Sequence, residues 1–66
     1  MENLKKMLAQ YEITVEKEED NFIWTQGHFC IEVEGNGLYK LLHLGDVIAP
    51  FDDPNALCHF IMQYSS

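Results

Sequence analysis

Two hydrophobic rhythms run along this chain. Leu4, Met7, Leu8 and Tyr11 recur at helical spacing, so residues 2–11 read as a short helix with one apolar stripe. Asn3 is the expected N-cap, with Glu2 beside the positive end of the helix dipole. From residue 12 the period drops to two. Over 12–18, Ile13 and Val15 alternate with Glu12, Thr14, Glu16 and Glu18, the pattern of a half-buried strand. Glu19-Asp20-Asn21 makes a turn, and 22–26 is a second strand that Gly27 breaks. Phe29, Ile31 and Val33 mark one face of a third strand over 28–34. Residues 38–44 return, Gly45-Asp46 turns again, and 47–49 is a short last strand that Pro50 ends. Asp53 suits an N-cap and Pro54 a first helical position, opening a C-terminal helix over 54–64 with a stripe of Leu57, Phe60, Ile61 and Tyr64.

The order defines an α+β fold: a small antiparallel meander of four to five strands, flanked by an N-terminal and a C-terminal helix. The 66 residues make a single domain, 1–66. Asn36-Gly37 is the usual signature of a two-residue type I′ hairpin. That turn predicts Val33 opposite Lys40, Ile31 opposite Leu42 and Phe29 opposite Leu44 on a core face. Glu34 with Tyr39, Glu32 with Leu41, and Cys30 with His43 then share the other face. Strands two and four are apolar on both faces, so the pattern leaves open whether both helices cover one face or each covers its own. Trp24 is expected in the main core or beneath an aromatic cluster.

Charge narrows the function classes. Eleven Asp and Glu stand against four lysines and no arginine, a formal charge of −7. A nucleic-acid binder needs cations to displace counterions from phosphates, so direct binding to DNA or RNA is not expected, nor is docking to an anionic membrane. The start of the chain has no apolar run after its charges and reads as carrying no signal peptide. Two cysteines, Cys30 and Cys58, are too few for a disulfide scaffold, so a cytoplasmic protein with free thiols is expected.

Candidate chemistry is sparse. His28, Cys30, His43, Cys58 and His59 are conceivable zinc ligands, but no close ligand pair of the Cys-x2-Cys kind is present, and no metal or other cofactor is expected. Cys30 facing His43 is the one nucleophile–base pair on offer, and a strand pair supplies no oxyanion donors. A core this small leaves little room for a cleft, so the chain is not expected to be an enzyme. Glu12, Glu16 and Glu18 fall on one strand face at about 6.8 Å intervals, which matches the scale of phosphate spacing. Glu19, Asp20, Glu32 and Glu34 extend that acidic surface, and Tyr39 and Leu41 add an apolar strip beside it. In size and charge, though in no motif, the chain resembles the small acidic inhibitors that phages make against host nucleases and defence complexes. The expected function is a protein-binding module, an inhibitor or regulator that engages a basic partner through these residues. The alternative is a homo-oligomeric accessory protein that associates through a partly apolar sheet face.

Overall fold

A computed structural model describes residues 2–65. Helix α1 (Glu2–Gln10) is followed by β1 (Val15–Glu19), β2 (Phe22–Thr25), a 3-10 turn (Gln26–His28), β3 (Phe29–Val33), β4 (Tyr39–His43), β5 (Asp46–Phe51) and α2 (Pro54–Ser65). The five strands form one antiparallel meander in the order β1-β2-β3-β4-β5, with the two helices at the chain's ends, as the sequence predicts.

Both helices lie on the same face of the sheet. Leu4 and Leu8 of α1 and Leu57, Cys58 and Ile61 of α2 are fully buried against Ile23, Phe29, Ile31 and Leu41. The helices also touch each other, and the Tyr11 hydroxyl donates to the Asn55 side-chain oxygen between them. Along the covered face, Phe29, His43, Tyr64, Phe60 and Phe51 form a chain of ring contacts, with centroids 4.8–6.1 Å apart. Asp53 caps α2, its Oδ1 accepting from the Asn55 amide at 3.0 Å, while its carbonyl receives the Leu57 amide. Asn3, by contrast, lies inside α1 rather than capping it.

The end of α1 departs from the predicted strand over 12–18. Ile13 donates to the Leu8 carbonyl and Glu12 to the Ala9 carbonyl, while Glu12 takes a φ of 59°. This is a Schellman stop, with Glu12 in the left-handed position and Ile13 packed back on Leu8. Ile13 is therefore buried before the sheet begins, and β1 starts only at Val15.

The central hairpin differs from the type I′ prediction. Glu34 donates to the Leu38 carbonyl, which closes a three-residue loop over Gly35-Asn36-Gly37. Gly37 has a φ of 83° and Asn36 is not at positive φ, the pattern of a turn followed by a left-handed glycine. The register shifts by one. Val33 pairs with Tyr39, Ile31 with Leu41 and Phe29 with His43. Because strand side chains alternate, a shift of one residue reverses every face on β4. Tyr39, Leu41 and His43 move to the helix-covered side, and Lys40 and Leu42 move out. A two-residue loop with both residues at positive φ does occur, but at Leu44-Gly45, between His43 and Asp46. Pro50 does not end the last strand. It sits within β5, an edge strand whose outer side needs no amide donor.

Candidate functional site

The face opposite the helices follows directly from the register. Glu19, Phe22, Glu32, Lys40 and Pro50 form one row across the strands. Lys17, Trp24, Cys30, Leu42 and Val47 form the next. No helix covers either row. Phe22 stacks on Trp24 at 5.8 Å, and both rings remain half-buried, as do Cys30 and Leu42. Val47 at the β5 edge is 58% exposed. Trp24 thus leaves the main core for an open aromatic and aliphatic strip, which overturns its expected place. Its neighbours Ile23 and Thr25 are the β2 residues that point inward and are buried.

Charged side chains border the strip. The Lys17 ammonium lies 5.0 Å from the centre of the Trp24 ring and 3.4 Å from the Glu19 carboxylate. Lys40 sits 3.7 Å from Glu32 and 3.6 Å from Glu34. On this face both lysines are thus held by carboxylates, and the rim stays acidic. Exposed pairs of this kind contribute roughly 0–1 kcal/mol each, so they shape the potential more than the stability.

The regular acidic array expected on β1 is not formed. Glu12 belongs to the helix stop. Glu16 is the extra residue of a bulge between Val15 and Lys17. Glu18 opposes Ile23 on the covered side and accepts from the Lys5 ammonium of α1 at 3.1 Å. Asp20 occupies the β1–β2 turn at a φ of 53°. Of the predicted binding residues, Glu16, Glu19, Glu32 and Glu34 are gathered around the open strip. Tyr39 and Leu41 lie on the covered side, where Leu41 is fully buried and offers no surface.

The bulge places Glu16 at a hollow of about 360 Å3, at the end of the open face where the β2–β3 and β4–β5 turns meet. The Leu44 amide donates to the His28 carbonyl and ties the two turns together. Trp24, Leu42 and Leu44 contribute apolar groups to its lining, with Glu16, His28 and Cys30 as ionisable members.

The thiols are separated by the sheet. Cys30 faces the open strip and Cys58 is buried beneath α2, both free. Burial and the neighbouring Glu32 charge raise the Cys30 pKa. Burial, assisted by Asp53, pushes Cys58 up to about 11. Both shifts favour the protonated thiol over the more nucleophilic thiolate, more strongly at Cys58. Cys30 opposes Leu42 rather than His43, which packs against Phe29 on the other face, so the nucleophile–base pair read from the sequence is not assembled. Among the described residues no group of three His, Cys, Asp or Glu is placed to hold a metal ion. No helix among them is long and apolar enough to cross a membrane.

No protein-family model matches the chain, and comparison with curated proteins and with solved structures gives no significant match. The class is therefore defined by architecture alone: an α+β domain with a five-stranded meander, two helices on one face and an uncovered aromatic strip on the other.

Proposed function

We propose that this domain is a protein-binding module that docks a basic partner on its open sheet face and thereby regulates or inhibits it. The observation that carries the reading is the placement of both helices on one side. It leaves Phe22, Trp24, Leu42 and Val47 as a contiguous strip with Glu16, Glu19, Glu32 and Glu34 around it. Aromatic anchors inside a polar rim are the anatomy of a protein interface. The charge of −7 selects the kind of partner, because its long-range field speeds encounters with cationic surfaces and repels a second copy of the chain. The reading is of binding rather than catalysis, since Cys30 opposes Leu42 instead of His43 and burial raises the pKa of its thiol.

The test begins with affinity capture on the immobilised domain, followed by titration of the purified captured protein. Leu42→Asp and Trp24→Ala should each weaken binding by about thirtyfold or more, the scale of an interface hot spot. Affinity should also fall steeply with added salt. Normal binding by Leu42→Asp would refute the open-face reading. A salt-insensitive homodimer that Leu42→Asp dissociates would replace the basic partner with a second copy.

A further inference from the structure

We infer that the hollow beside Glu16 receives an arginine side chain of the partner protein, an inference that rests on the open-face reading above. At about 360 Å3 the hollow is at the small end of ligand-accepting clefts, which run roughly from 300 to 1,000 Å3. It suits one long side chain. Its walls are largely apolar, from Trp24, Leu42 and Leu44, with Glu16 as the anionic member and His28 and Cys30 as further polar groups. Such a lining favours a flat, weakly hydrated cation over a compact, strongly hydrated one. Guanidinium meets that description: it stacks on aromatic faces and pairs with carboxylate through two parallel hydrogen bonds. A lysine ammonium holds its water more tightly and gains less from apolar walls.

A further observation supports the same occupant. Glu18 and Glu19 are engaged by Lys5 and Lys17, whereas Glu16 has no ion-pair partner among the described residues. The chain contains no arginine of its own, so neither an internal side chain nor a second copy supplies this ligand. The bulge is the structural cause, because it sets Glu16 outside the regular alternation of β1.

The experiment titrates the intact domain with N-acetyl-arginine amide. Readouts are the fluorescence of Trp24, the single tryptophan, and amide chemical shifts. Binding should saturate, with shifts centred on Glu16, Trp24, His28 and Leu44. The uncharged isostere N-acetyl-citrulline amide should bind about tenfold more weakly, because it lacks the charge-assisted hydrogen bond. Glu16→Gln should weaken arginine-amide binding up to about fivefold, the scale of one exposed ion pair. Asp20→Asn changes the net charge equally but lies in the β1–β2 turn, and should leave binding unchanged. Shifts scattered over all the acidic positions without saturation would overturn the inference. So would equal effects of Glu16→Gln and Asp20→Asn. Either result leaves the open-face reading to stand or fall separately on Leu42→Asp and the whole partner.

Discussion

Leu41 and Leu42 are adjacent on β4 and chemically identical, yet they belong to different parts of the molecule. Leu41 lies under the two helices with Ile23 and Ile31 and is fully buried. Leu42 lies beside Trp24 and Cys30 with no helix above it, half-buried by its neighbours alone. The covered face accounts for the fold, because its side chains have their partners within the chain. The open face offers a similar apolar row whose burial the chain does not complete. Residue type therefore does not separate structural from interacting surface in this domain; what separates them is which side of the sheet the helices take.

Truncating both leucines sharpens the contrast most. Leu41→Ala should cost about 2–5 kcal/mol, the range for a buried leucine leaving a cavity. Leu42→Ala should cost less than about 1.5 kcal/mol, because the site is partly wet and can relax. Trp24→Ala should likewise fall below the roughly 3–5 kcal/mol expected of a fully buried aromatic. Urea melts of the three variants measure this, and equal losses for Leu41→Ala and Leu42→Ala would erase the distinction.

Alkaline pH separates the faces next. An unfolded thiol titrates near 9.0, whereas folded Cys58 holds its proton to about 11. Below 9.0 both states carry the proton, and the contribution to stability is fully present. Between 9.0 and 11 the unfolded state releases its proton first, so stability should fall as pH rises. The denaturation midpoint of the native chain should drop across that window more than that of Cys58→Ala. Parallel curves for the two proteins would show that Cys58 is not shielded beneath α2.

The smallest expected effect is local. Leu44 holds a φ of 53° in the turn beside the hollow and is 70% exposed. A left-handed conformation costs a non-glycine residue roughly 1–2 kcal/mol, and asparagine tolerates it better. Leu44→Asn should therefore stabilise the domain by up to about 1 kcal/mol. A destabilised variant in the same melts would show that the Leu44 side chain contributes more through contact than it loses to strain.

Element type and order were legible because the two periods are clean: the stripe of α1, the alternation of β3 and the Asp53-Pro54 start of α2 all lead to the observed fold. Register was harder to read, because β4 carries leucine on both faces and the Gly35-Asn36-Gly37 segment fits a two-residue or a three-residue loop. Lys40 held the missing clue. A type I′ turn would put it opposite Val33 on the core face, whereas the observed register sets it opposite Glu32, with Glu34 also within ion-pair reach. The acidic array failed for local reasons. Neither a left-handed helix stop at a glutamate nor a bulge at Glu16 has a strong sequence signature, and both break the alternation on which the array depended. The hollow was illegible because it forms where two turns distant in sequence meet.

The account rests on one sheet with a covered side and an open side, and each side carries one cysteine. Native protein treated at pH 8 with a small maleimide, then digested and weighed, reads them directly. The prediction is that Cys30 labels in the folded state, while Cys58 labels only when the domain unfolds. Labelling of Cys58 as fast as Cys30, or a Cys30 silent until denaturation, would contradict the placement of both helices on one face.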